Sequence, residues 1–254
     1  MKIRRSVETV ATSNADDAAY LALEDVARIT DHLDDVRVVG GHMASLLLTA
    51  FPVAEAIVRR TADADAAIST SIAASGHIHR ALTDAGYIDT SGNHYAKGPL
   101  EIDLLVPSGT NQFVKTEHGG RGFDAAPGLM RAFATEPILL DVGVMLTDGS
   151  RHEFVVRVPS VELAVSLKAY ATTSRAVSKD LTDLYNLLSV ANSYDSDQIG
   201  AWTLNGHLQG TRLDTGRILH NIADKARTSA LIREARIPQE RLVALIRRLV
   251  TDPR

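Results

Sequence analysis

The 254-residue chain contains no cysteine. That absence removes disulfides, thiolate zinc or iron–sulfur centres, and a cysteine nucleophile. It fits a reducing compartment, and a cytoplasmic location is expected. Long apolar runs are missing as well. None approaches the ~20 residues of a membrane span, so no membrane partner is expected. The opening stretch MKIRRSVETVATSNADD has basic residues but no apolar segment behind them, which argues against a secretory leader. Repeats and low-complexity segments are absent. A formal net charge of -4 argues against a simple basic nucleic-acid coat. What is present is a 45% hydrophobic chain, long enough for one large domain or two modest ones around a proper core.

The charge is unevenly spread. Residues 205–254 carry about +5 by count, which leaves -9 on the rest. Residues 15–35 have Tyr20, Leu23, Val26 and Ile29 at helical spacing. The β-branched run Val36–Val39 stops at Gly40-Gly41, and an apolar helix from His42 to Phe51 ends at Pro52. Ala56–Val58 and Asp63–Ile68 read as short strands, and 71–86 as a helix closed by Gly86. A turn at Ser91-Gly92-Asn93 precedes the strand Leu100–Val106. Residues 108–128 are rich in glycine and polar residues and read as a surface loop. Strands at 138–146 and 152–158 flank the hairpin signal Thr147-Asp148-Gly149-Ser150. Helices follow at 160–173 and 178–193, and the tail ending in QERLVALIRRLV is helical. This order gives an α/β (α+β) class, with a mixed-sheet domain over 1–158 and a helical C-terminal domain over 159–254.

Acidic pairs on the strands are the most informative local feature. Side chains of an extended segment alternate, so Asp63 and Asp65 share one face. Glu101 and Asp103 likewise share a face, opposite Ile102, Leu104 and Val106. Like charges so close are unfavourable unless a cation or a proton lies between them. Carboxylates on adjacent strands make a hard-oxygen site suited to Mg²⁺. Upstream, Gly40-Gly41 between a strand and a helix lets backbone approach a ligand, and a helix N-terminus offers N–H groups to phosphate. Metal carboxylates beside a phosphate cradle point to transfer of a phosphoryl or nucleotidyl group with two ions. Each piece also has a plain structural reading. The glycines can be a turn, either acidic pair a solvated face, and Arg60 and Thr61 neutralisers of Asp63.

Farther along, Ser160 and Ser178 read as helix N-caps. Lys168 is the charged member of an apolar stripe with Val161, Ala164, Val165 and Ala171. Its amine either snorkels to solvent or faces the carboxylates and bound phosphates. Asp180 and Asp183 lie in the first turns of the next helix, where the helix dipole alone favours negative charge. In the tail, Leu242, Leu245, Ile246 and Leu249 form an apolar stripe. Arg241, Arg247 and Arg248 there are either solvated or track phosphates.

The ordered set VVGGHMASLLL, RRTADAD, LEIDLLV and SVELAVSLKAYATTSRAVSKDLTDLYNLL resembles the AbiEii/MenT group of nucleotidyltransferase toxins, within the DNA polymerase β-like nucleotidyltransferase superfamily. The resemblance spans about residues 36–190 and implies a small mixed-sheet nucleotidyltransferase core. By that resemblance Asp63, Asp65 and Asp103 are the metal-binding acids, and Lys168 and Asp180 complete the catalytic set. Asp183 is the other candidate for the last acidic position. Gly40, Gly41, Ser45, Arg60 and Lys168 are implied for the nucleotide, and Arg175 also falls where the family often has arginine. The chain departs from the superfamily's usual Gly-Ser, since His42 follows Gly41, with Ser45 one helical turn on.

The resemblance further implies two Mg²⁺ ions, an NTP substrate and a cognate antitoxin. It also implies transfer of NMP to an RNA acceptor, expected at the tRNA 3′ end, which blocks translation. Two alternatives stay open: the same chemistry on a protein or antibiotic-like small molecule, or a degenerate fold acting as a binding module. A monomer is expected.

Overall fold

The computed structural model describes residues 2–175 and 177–253. In chain order the elements are β1 (Arg4–Val10), α1 (Asn14–Thr30), β2 (Val36–Val38), α2 (Gly40–Ala50) and β3 (Ala64–Ile68). Then come α3 (Thr70–Ser75), α4 (His77–Asp84), β4 (Ile88–Asp89), β5 (His94–Lys97) and β6 (Leu100–Pro107). A second hairpin, β7 (Val114–His118) and β8 (Arg121–Ala126), precedes α5 (Leu129–Phe133), β9 (Ile138–Met145) and β10 (Arg151–Val158). The rest is helical: α6 (Val161–Ser174), α7 (Ser178–Ser193), α8 (Thr211–Lys225), α9 (Ala230–Glu234) and α10 (Gln239–Leu249). The architecture is mixed α/β with a helical C-terminal part.

Two sheets form. In the larger, the order is β2-β3-β6-β5-β4, with β8 beside β6 and β7 beside β8. β6 is the hub. It runs parallel to β3, antiparallel to β5 along its first half, and parallel to β8 along its second. The smaller sheet has β9 in the centre, parallel to β1 and antiparallel to β10. α1 lies on β3 and β6, while α2 packs on β3 and β1 and turns its other side to α6 and α7. This wedge position lets α2 join strands and helices into one hydrophobic core. In β6 the alternation is followed strictly: Ile102, Leu104 and Val106 are fully buried in that core, and Asp103 and Leu105 point the other way.

Several local expectations are corrected. β1 was not visible as a strand, because its burial alternates around the lone core residue Val7. Ala56–Val58 forms no strand. The Ile57 backbone pairs instead with the Asn186 amide, which accepts from Ile57 N at 3.0 Å and donates to Ile57 O at 2.8 Å. The helix expected over 71–86 is two helices, broken where Gly76 enters the left-handed region at φ +63°. Residues 108–128 are no loop, for β7 and β8 form a hairpin closed by Gly119-Gly120, both at positive φ. Ser178 is the first residue of α7 rather than its cap, and its hydroxyl donates to Glu234. Ser160 does cap α6. No helix among the described residues is long and apolar enough to cross a membrane.

Candidate active site

Parallel pairing sets Asp65 of β3 directly beside Asp103 of β6, and Asp63 lies just before β3 on the same face. One carboxylate oxygen from each of the three falls within 4.8 Å of the others. Asp65 and Asp103 line a cavity of about 430 Å³ together with Lys168 and Arg175, and Asp63 adjoins them just outside that lining. That volume lies in the range of small-ligand sites. Burial, reinforced by the charges of Asp63 and Asp103, pushes the Asp65 carboxyl up to about 7. Burial opposes ionisation of Asp63 too. The Thr61 hydroxyl, donating at 2.7 Å, and other nearby donors nevertheless hold it below the usual carboxylate range. The cluster is therefore short of positive charge, and its all-oxygen donor set is what a hard divalent cation takes.

The glycine pair has a steric reason in this arrangement. Gly40 has φ +63°, and a Cβ there would overlap the Asp65 carboxylate. A Cβ at Gly41 would overlap the Thr61 side chain that holds Asp63. Both glycines thus let α2 start against the acidic strand. Val39 and Gly40 line the cavity, and no side chain caps the helix there. The first N–H groups of a helix have no intrahelical partner, so this end of α2 is suited to an anion. His42 points elsewhere. It is buried against Tyr20, ring centroids 5.2 Å apart, and burial pulls its imidazole down to about 4.

A second acidic group lies behind the cavity on α7. Lys168 is 3% exposed and reaches Asp183 at 2.6 Å and Asp180 at 3.2 Å. Arg175 donates to Asp180 at 2.9 Å, and Arg59 pairs with Asp183. Lys168 therefore does not snorkel; its ammonium is held by the two α7 carboxylates while it lines the cavity. These contacts hold the Asp180 carboxyl low despite its burial. Asp180 and Asp183 are both in this network and not among the strand carboxylates.

Ser45 and Arg60 lie outside the cavity. Both line a separate crevice on the other side of α2, where Ser45 donates to His42 O and Arg60 stands 3.7 Å from Asp16. In the tail, Leu242, Leu245 and Ile246 are buried, Arg241 pairs with Glu55 at 3.1 Å, and Arg247 stands 4.0 Å from Asp224. Four site features were missed from sequence. His94 is the cross-strand partner of Asp103, and its Nδ1 lies 2.6 Å from Asp103 Oδ1. Since an ionised carboxylate only accepts, the imidazole donates. Arg59 was passed over beside Arg60. Asp124 and Phe113 line the cavity from the segment expected to be loop. Register with β6, which sequence does not display, brings His94 of β5 and Asp124 of β8 to the site, and pairing of β7 with β8 brings in Phe113 just before β7.

No protein-family model and no curated protein matches the chain. Among solved structures, the chain is similar to the solution structure of the antibiotic-resistance factor ANT(2'')-Ia. The likeness covers 72% of this chain and 88% of that one, with 11% sequence identity and a TM-score of 0.40. A likeness at that level leaves function to be read from the cavity and its carboxylates.

Proposed function

We propose that the protein is a Mg²⁺-dependent nucleotidyltransferase that moves NMP from an NTP to a hydroxyl acceptor. The observation that carries this reading is the convergence of Asp63, Asp65 and Asp103 within 4.8 Å of one another, with Asp65, Asp103 and the open end of α2 lining one cavity. Asp63, Asp65 and Asp103 would hold the cation. When bound, Mg²⁺ supplies Lewis-acid polarisation of the reacting phosphate and of the attacking oxygen. The chemistry balances simply. The acceptor oxygen bonds to the α-phosphorus, the bond to the bridging oxygen breaks, pyrophosphate leaves, and the hydroxyl proton is given up.

The chain's own groups have defined parts in this scheme. The N-terminal end of α2, which meets the cavity at Gly40, would offer its free backbone N–H groups to the phosphates. Lys168 and Arg175 put positive charge in the cavity lining, balancing the triphosphate. Asp103, fixed by its hydrogen bond from His94, would take the proton of the acceptor hydroxyl. His94 is a positioning residue, since it acts through Asp103.

The acceptor we favour is an RNA 3′ end, and the physiological role a translation-blocking toxin kept in check by an antitoxin in the cytoplasm. Support for these finer points comes from the ordered motifs over residues 36–190 and their resemblance to the AbiEii/MenT group. The test incubates the purified protein with each α-labelled NTP, Mg²⁺ and total tRNA, beside Asp63→Ala. Label in RNA that vanishes with the variant is the expected result. Label in the protein fraction would move the acceptor to protein, and no transfer to any acceptor would overturn the reading.

A further inference from the structure

The cavity does not end at the carboxylates. It shares Phe113 and Ser174 with a second cleft, which in turn shares Thr173 and Ile218 with a third. The third returns to the first through Arg175. We read the three adjoining openings as one groove around the C-terminal end of α6, with α8 lining its second and third parts. On α8, Arg217, Asn221 and Lys225 recur every four residues and line this groove. A four-residue step advances about 6 Å along a helix, so these three form an exposed polar rail. Between them Ile218 and Ile222 supply an apolar floor, continued by Leu231. Asp214 also lines the α8 part of the groove. It accepts from the Tyr170 hydroxyl at 3.4 Å and lies 3.8 Å from Arg217. Phe113, an exposed aromatic ring, stands at the junction with the carboxylate cavity.

We propose that this groove is the acceptor track, and that it takes a single-stranded nucleic acid with its 3′ end at Asp103. A single strand alternates flat apolar bases with anionic phosphates, and the groove offers an apolar floor with a cationic rail. Phe113 provides the ring on which the terminal base stacks, and Arg217 and Lys225 meet phosphates. Within the basic tail the track is assigned to α8 and not to α10, whose apolar stripe is buried and whose arginines line none of the three openings. This inference rests on the nucleotidyltransferase reading for its 3′-end polarity, while the binding it asserts is measurable without catalysis.

The experiment follows a fluorescently labelled short single-stranded RNA by anisotropy across a salt series, using the full chain. Wild-type protein is expected to bind with a steep salt dependence. Arg217→Ala with Lys225→Ala should weaken binding and lower the logarithmic salt slope by about 1.4, the value for two phosphate contacts on a single strand. Arg247→Ala with Arg248→Ala should leave both unchanged. Phe113→Ala should weaken binding at every salt concentration, and Phe113→Trp should restore it. Absent binding, an unaltered slope in the α8 variant, or loss confined to the tail variant would each overturn the assignment. So would tight binding of an acidic peptide in place of RNA. If these variants behave as expected but no label is transferred, the groove stands and the catalytic reading fails. If label reaches RNA while the α8 and Phe113 variants bind normally, the reverse holds.

Discussion

Two groups of aspartates are treated in opposite ways, one with Asp65 and Asp103 in the cavity lining and one behind that lining on α7. On the strands, Asp63, Asp65 and Asp103 have a hydroxyl and an imidazole for partners, and the Asp65 carboxyl is pushed up to about 7. On α7, Asp180 and Asp183 are met by Lys168, Arg175 and Arg59, so three cations answer two anions. Identical side chains thus form an unneutralised site on the strands and a saturated one on α7. The strand cluster is poised to take positive charge, while on the α7 side Lys168 and Arg175 are the cations that line the cavity. A cation on one side and a triphosphate on the other is what nucleotidyl transfer requires.

This contrast can be broken most sharply at its centre. Asp65→Asn should lower label transfer by on the order of 10³-fold or more, the scale on which enzymes lose a group that acts on developing charge. The same change should raise the melting temperature of the metal-free protein, since it removes a disfavoured charge. A variant that is both inactive and less stable would contradict the picture of a cluster short of cations. In the saturated group the sign reverses. Asp183→Ala leaves Lys168 and Arg59 without their carboxylate and should cost about 3–5 kcal/mol in denaturant unfolding, as for a broken buried ion pair.

Smaller effects sharpen the comparison further. His94→Ala should weaken Mg²⁺ binding by about 10–100-fold, read as a shift in the Mg²⁺ dependence of the melting temperature. His94→Asn, which keeps a donor near the Nδ1 position, should recover part of that loss. Without metal, a raised Asp65 pKa means that the folded state favours the protonated acid. Its stabilising contribution is complete below the ordinary carboxylate value and is lost as pH rises through about 7. The metal-free melting temperature should therefore fall between about pH 5 and pH 8 more steeply in wild type than in Asp65→Asn. Added Mg²⁺ should stabilise most at the alkaline end. The least effect is expected from Ser45→Ala and Arg60→Ala, which lie in the separate crevice. Large losses of transfer in either would require the nucleotide to reach across α2.

The strand carboxylates were legible from the first pass, because alternation alone puts Asp63 with Asp65 and leaves Asp103 opposite Ile102 and Leu104. Lys168 was legible as an anomaly on an apolar stripe, though its direction was not. What it meets depends on α7 crossing behind α6, and no local pattern states that. The 108–128 segment was misread because β7 is largely exposed on both faces and β8 gains its place only by pairing with the end of β6. Ser45 and Arg60 are implied for the nucleotide by the family resemblance, yet they line the crevice on the other side of α2.

The sequence by itself determined which residues carry charge, which strand faces are apolar and where glycine must break the chain, since these follow from periods of two and 3.6 residues. Tertiary structure decided the rest. Parallel register between β3 and β6 turned two acidic strands into one cluster, and α2 starting at Gly40 placed a helix end against it. The crossing of α6 and α7 gave one pair of aspartates its cations, and β5 pairing gave Asp103 its histidine. Charge is a property of residues, but the scarcity or surplus of counter-charge depends on what packing brings within a few ångströms.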